Sequence, residues 1–301
     1  MDTLTCWLPG GYRDTAGTLH REVELAPLSG REEEDLASRG SRSNAALVTR
    51  ILSRCVLRIG ALSPVSEALA RELLVADRQY LMLKLREATL GDQLQATLVC
   101  PWPGCGNRID IDFLLSDVPV IPLAEPGPAY RLLLSAEAAL SDEAGRPQRE
   151  VVFRLPTGAD QELTASLARH DVDQALLQLL SRCITSIGEL RHPDPMIIDG
   201  LSPLAQAEID QAMAAVAPQV DLSLRGGCPE CGRPFAQPFD LQEFFFRELR
   251  ISRELLYREV HYLAFHYHWG EGEIMGFPRT KRRMYIEILA DEIERLSDAV
   301  A

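Results

Sequence analysis

The sequence predicts an α+β protein made of two similar units followed by a helical C-terminal extension. Three observations carry this. First, one offset recurs along the chain: the spacing from Cys100 to Cys228 is also that from Cys55 to Cys183, Gly60 to Gly188 and Gly30 to Gly158. Around one pair, Leu52-Ser53-Arg54-Cys55 reappears as Leu180-Ser181-Arg182-Cys183. Second, each half runs through the same order of patterns: short alternating runs, a helical stripe, then alternating runs about a cysteine-bearing turn. Third, beyond about Phe244 that order stops and an aromatic-rich helical period takes over. A tandem duplication accounts for the fixed offset. The expected boundaries are 1–118 for unit one, 119–129 for a proline-rich linker, 130–246 for unit two and 247–301 for the extension.

Unit one opens with an expected strand, Leu4 to Leu8, and a turn at Pro9-Gly10-Gly11. A second strand, Glu22 to Leu25, follows. The acidic run Glu32 to Asp35 suits the first turn of a helix, where the macrodipole is positive. Asn44 is expected to cap a helix with Leu47, Ile51, Cys55 and Ile59 on one stripe, and Gly60 to stop it. Pro64 begins a helical stretch to about Thr89, with Gly91 as its stop. Leu94, Leu98, Ile109, Ile111 and Phe113 alternate with polar residues and predict two strands. In unit two, Tyr130 to Leu134 and Val151 to Leu155 read as strands, and Asp171 to Ile187 as a helix. Ser202-Pro203 opens another helix, through Val216. Pro119, Pro122, Pro126 and Pro128 mark the linker. In the extension, Leu249 to His268 reads as one helix and Trp269 to Pro278 as a break. Thr280 is expected to cap a last helix with Tyr285, Leu289, Ile293 and Leu296 on its apolar side.

The chemistry lies in two cysteine knuckles, Cys100-Pro-Trp-Pro-Gly-Cys105-Gly106 and Cys228-Pro-Glu-Cys231-Gly232. A tight turn with Pro and Gly holds two thiolates close together. One knuckle offers two ligands, and a structural zinc site wants four. The duplication therefore predicts that both knuckles meet and that Cys100, Cys105, Cys228 and Cys231 share one structural zinc. The separation far exceeds the roughly 15–20 residues of a simple ribbon, so only the duplication makes the pairing reasonable. The alternative is a pair of hairpin turns that keep cysteines without metal. A catalytic zinc would keep an open position and favour His or carboxylate ligands, and no His flanks either knuckle. The repeating unit is thus a hairpin, helices and a zinc knuckle.

Composition excludes several classes. The 301 residues carry a net charge of -13, which disfavours a general nucleic-acid binder, since that needs basic surface to displace counterions. No apolar run approaches the roughly 18 residues of a membrane span. No basic, apolar leader opens the chain. Seven cysteines, four of them in knuckles, suit a reducing compartment and metal binding better than a disulfide framework; a cytoplasmic location is expected. No G-x-S-x-G, H-E-x-x-H, G-x-x-x-x-G-K or G-x-G-x-x-G motif occurs, so no enzyme activity and no small-molecule substrate are expected.

Cys55 and Cys183 sit on apolar stripes and read as core residues. Arg54 and Arg182 beside them could each hold a nearby carboxylate, although a solvated helix edge is the favoured reading. His266 and His268 are two apart and face different sides of a helix, which argues against a metal pair. The aromatic segment instead reads as aromatic packing or as a partner-binding surface, the latter anchored by Leu256, Val260, Leu263, Tyr267 and Trp269. The basic run Arg279, Lys281, Arg282 and Arg283 reads as a solvated face or as a site for an acidic protein partner.

The stretch Ala76-Asp77-Arg78-Gln79-Tyr80-Leu81-Met82-Leu83-Lys84-Leu85-Arg86, then Leu90-Gly91-Asp92, the first knuckle and Asp110-Ile111-Asp112-Phe113 resemble the T4-like baseplate hub assembly chaperone family of contractile phage tails and phage-tail-like injection particles. The resemblance covers unit one well and unit two weakly. The segments Leu256 to Val260, His266 to Trp269 and Lys281 to Tyr285 are similar to small proteins encoded in the same tail clusters. The resemblance implies a non-enzymatic assembly factor or structural component of a baseplate or hub, with tail, hub or baseplate proteins as partners. The alternative drawn from the residues alone is a zinc-ribbon regulator that binds nucleic acid through the knuckles and the basic run.

Overall fold

The computed structural model describes residues 3–37, 43–141, 145–251 and 253–298. It is a mixed α and β protein whose C-terminal region is helical. In the first half, Leu4–Arg13, Leu19–Leu25 and Val56–Ile59 form an antiparallel sheet in that order. The helix Asn44–Cys55 packs on it. Its inward residues Leu47, Val48, Ile51, Leu52 and Cys55 join Leu8, Val23 and Leu25 in one core. Each fully buried Leu or Ile contributes about 1.5–3 kcal/mol.

The second half repeats this pairing at the same fixed offset. Val23 faces Ile59 and Leu25 faces Val56 across the first sheet; Val151 faces Ile187 and Phe153 faces Ile184 across the second. The register slips at the same step in both, after Glu24 and after Val152. The Ala26 N–H donates to Cys55 O at 2.8 Å, and the Arg154 N–H to Cys183 O at 2.9 Å. Gly60 and Gly188 both take positive φ, 55° and 56°, and both donate at 2.7 Å, to Glu22 O and Glu150 O. Leu180, Cys183, Ile184 and Ile187 form the matching second core.

Several expected elements change. The stripe Leu47 to Ile59 is not one helix: it ends at Cys55, capped at its start by Ser43 rather than Asn44, and Val56–Ile59 is a strand. Asp171 to Ile187 divides likewise into the helix Val172–Cys183 and the strand Ile184–Ile187. An apolar residue at every fourth position serves either geometry over one turn. The waiting edges of Leu19–Leu25 and Glu150–Phe153 decide for the strand. Gly10-Gly11 is not a turn but an irregular step within Leu4–Arg13. The Asp77 carboxylate accepts both backbone N–H groups there, at 2.7 and 3.0 Å. The stretch from Pro64 is two helices, Glu67–Glu72 and Val75–Leu90, broken at Leu73-Leu74. Part of the linker is a strand, Val120–Ile121, paired with Gln219–Val220. The helical stretch expected from Leu249 begins earlier: Leu241–Ile251 and Arg253–Tyr267 are both helical. Residues 299–301, expected to end the extension, lie outside the described residues.

Candidate metal centre

Two hairpins carry the knuckles. Gln93–Val99 pairs with Arg108–Leu114, and Ser223–Gly227 with Pro234–Pro238. Alternation turns Leu94, Leu98, Ile109 and Phe235 inward. In each knuckle the first cysteine N–H closes the turn, Cys100 to Asn107 O at 2.9 Å and Cys228 to Arg233 O at 3.0 Å. Gly106 and Gly232, each just past the second cysteine, take φ of 62° and 69°. A side chain there would strain the reversal.

The two hairpins meet tip to tip. All four thiol sulfurs lie within 4.8 Å of one another. Cys100 Sγ is 3.8 Å from Cys231 Sγ, and Cys105 Sγ is 3.8 Å from Cys228 Sγ. A tetrahedron with zinc–sulfur bonds of about 2.3 Å has edges of about 3.8 Å. The spacing is far too long for disulfides, which need about 2.05 Å. Cys100 and Cys228 are buried, while Cys105 and Cys231 lie nearer the surface. The four residues predicted from the sequence are therefore the four brought together, and they fit a tetrahedral thiophilic cation.

Electrostatics agree with a cation. The N–H groups of Cys231 and Glu230 pull the Cys228 thiol down to about 7. The Trp102 N–H acts the same way on Cys100, but desolvation and the three neighbouring thiols push that group up to about 12. Four sulfurs in contact cannot all be anionic alone; a divalent ion offsets that repulsion. The surroundings also hold the tips together. The Trp102 indole N–H donates to Pro234 O at 2.8 Å, and the Gln237 side-chain N–H to Val99 O at 3.2 Å. Arg233 lies over the Trp102 ring. Trp102 is thus a cross-hairpin strut.

The expected partner surface is placed differently. Leu256, Val260 and Leu263 are not surface anchors: they are buried with Ile274 and Met275 in a core of the C-terminal region. Tyr267 stacks on Trp269 at 4.6 Å, and both pack on Tyr285. A short helical region can form a core only by turning its widest apolar stripe inward. The basic run is also split. Arg282 is fully buried and donates to Glu33 at 2.8 Å and Glu259 at 2.9 Å. Arg279 is buried beside Glu33. Only Lys281 and Arg283 face outward, with Lys281 over the Phe277 ring at 4.0 Å. Arg54 and Arg182 are not merely solvated: Arg54 reaches Asp35, and Arg182 joins Arg154 on the buried Asp160.

A sequence profile described as T4 bacteriophage base plate protein matches residues 3–246. The chain belongs to that family. The matched span includes both knuckles and both sheets of this base plate protein, and it stops before Arg247. No curated protein and no solved structure matches the chain. Among the described residues of this base plate family member, no helix is long and apolar enough to cross a membrane.

The sequence missed one group at the junction of the two halves. Arg78 is fully buried, donating to Ala45 O, Ala70 O and Thr49 Oγ1 at 2.7–2.9 Å. Its helix, Val75–Leu90, also carries Asp77, Lys84, Arg86 and Glu87, so the sequence pattern does not single Arg78 out as buried.

Proposed function

We propose that this chain is a non-enzymatic assembly factor or structural component of a baseplate hub, and that it acts by binding other tail proteins. The observation that carries the reading is the family match across residues 3–246, which spans the whole four-thiol cluster. A site with four protein thiols leaves no open position for substrate, as expected of a structural rather than catalytic metal. Zinc is the ion that fits the all-sulfur tetrahedron best. It would tie two hairpins far apart in sequence and so fix the mutual placement of the halves. We also infer a tandem duplication, supported by strand registers and glycine turns that match at the offset of the cysteines. The nucleic-acid reading loses its basic run, because Arg279 and Arg282 are spent on Glu33 and Glu259 inside the chain.

The test is native mass spectrometry of untagged chain co-expressed with its neighbouring gene products. One zinc per chain and a bound tail or baseplate subunit are expected. A metal-free chain that captures no tail protein would overturn the proposal.

A further inference from the structure

Two places in the fold share one docking geometry. The first joins the halves. Leu74 forms an antiparallel bridge with Thr157, and the Gly158 N–H donates to Leu73 O at 3.0 Å. Leu74 lies between the short helix Glu67–Glu72 and the long helix Val75–Leu90. One helical turn on, Arg78 is fully buried. Gly158 lies directly against it: a Cβ there would stand 2.3 Å from Arg78 Nη1.

The second joins the C-terminal region to unit one. Pro278 bridges Ser29, and the Gly30 N–H donates to Phe277 O at 3.3 Å. Pro278 lies between the short helix Glu271–Ile274 and the long helix Arg279–Asp298. One helical turn on, Arg282 is fully buried. The three atoms nearest a Cβ on Gly30 all belong to Met275, at 3.0–3.2 Å.

The parts correspond by position. The acceptors Ser29 and Gly30 stand to Thr157 and Gly158 at the same offset as Cys100 to Cys228. The donors Leu74 and Arg78 stand to Pro278 and Arg282 at a second common offset, which also relates the helix starts Glu67 and Glu271. The family match ends at 246, so the second donor lies outside it and yet reproduces a docking mode made within it. Unit two has a hairpin of the same form, Pro195–Asp199 and Pro203–Val216. It carries Gln206 in place of the arginine, and among the described residues Ser202 makes no bridge.

We propose that the Ser29–Glu33 edge of unit one is a docking site for a helical hairpin bearing an arginine one turn after its bridging residue. The 271–298 hairpin fills it in cis, and a second copy of this chain can supply the same hairpin in trans. The bond set needs no chain continuity: an isolated β-bridge, two amide hydrogen bonds (Gly30 N–H to Phe277 O and Arg31 N–H to Met275 O) and a buried arginine matched to Glu33 of the edge and to Glu259 of the helix Arg253–Tyr267. Tethering makes the effective concentration of the cis hairpin high, so the cis form dominates in the intact chain. Complementary lesions in two chains remove that advantage and leave only the exchange. This proposal stands on the fold alone and not on the baseplate assignment.

Two full-length variants test it. Gly30→Leu blocks the acceptor, because the new side chain meets Met275 of the docked hairpin. Arg282→Glu spoils the donor, because it sets a third carboxylate against Glu33 and Glu259. Each variant alone should be a monomer whose amides across 271–298 exchange about 100-fold faster or more. Mixed in equal amounts, they should form a 1:1 heterodimer in native mass spectrometry and recover protection in that segment. The chain carrying both substitutions should bind neither. Failure to pair on mixing, pairing by the double variant, or continued docking in either single variant would overturn the proposal. If circular dichroism shows either variant unfolded, Gly30→Val and Arg282→Met replace the pair with the same expected outcomes.

Discussion

Removing the metal from the four-thiol centre should destabilise the whole chain, not just two turns. The centre joins Cys105 to Cys228 across 123 residues of chain. Treated as a cross-link, closing such a loop restricts the unfolded state by about 5 kcal/mol at 25 °C. At about 2 °C per kcal/mol for a chain of this size, the melting temperature should fall by about 10 °C. The local loss is larger in proportion. Among the described residues the hairpin tips share a buried cluster of just Cys100, Ile109, Cys228 and Phe235, and two-stranded hairpins are marginal alone. The assay is thermal unfolding of the zinc-loaded chain, the chelated chain and Cys231→Ser, with zinc counted by native mass spectrometry. Amide exchange should show 93–114 and 223–238 opening first. Equal melting temperatures for loaded and stripped protein would refute the cross-link argument. So would a Cys231→Ser chain that keeps one tightly held zinc and full stability.

Gly158→Ala should cost on the order of 3 kcal/mol in a urea titration, because its Cβ would displace the three-bonded Arg78 guanidinium and strand a buried charge. Trp102→Ala removes the indole bond to Pro234 O and should weaken zinc retention about 10-fold in a competition assay with a chromogenic chelator. Burial pushes the Asp77 carboxyl up to about 6, against the Gly10 and Gly11 N–H groups that lower it. A raised folded value means stability present in acid and lost as pH rises through about 6, so Asp77→Asn should flatten the urea midpoint between about pH 4 and 6. Asp160 has the opposite sign. Burial would raise it, but Arg154, the Thr157 N–H and Arg182 together hold it well below the usual carboxylate range. Its contribution is present above about pH 4 and lost as pH falls below that, so Asp160→Asn should remove an acid-side loss of stability seen in the parent chain.

The knuckles were legible because ligand chemistry is local: two cysteines, Pro and Gly close together define a turn that can hold a metal. Their partnership was legible only through the recurring offset. The helix Pro203–Val216, with its Ser202 cap, was read correctly because its start signal is local and unopposed. The segments Val56–Ile59 and Ile184–Ile187 were misread because a short apolar-spaced run fits a helical turn and a strand equally well. Neighbouring strand edges settle that choice, and those edges, Leu19–Leu25 and Glu150–Phe153, lie far upstream in the chain. The C-terminal anchors were misplaced for a related reason. Leu256, Val260 and Leu263 define an apolar stripe whatever covers it, and a stripe does not say whether its cover is a partner or the same chain.

Residue chemistry and fixed spacing were enough to give a mixed α and β chain, its helical C-terminal region and the four clustered cysteines. Folding settled which edges pair, that Arg78 and Arg282 are buried rather than solvated, and that the C-terminal hairpin docks on unit one as the first hairpin docks on unit two. Those outcomes depend on desolvation and on hydrogen bonds between segments as much as 249 residues apart, and no local window of sequence contains both partners.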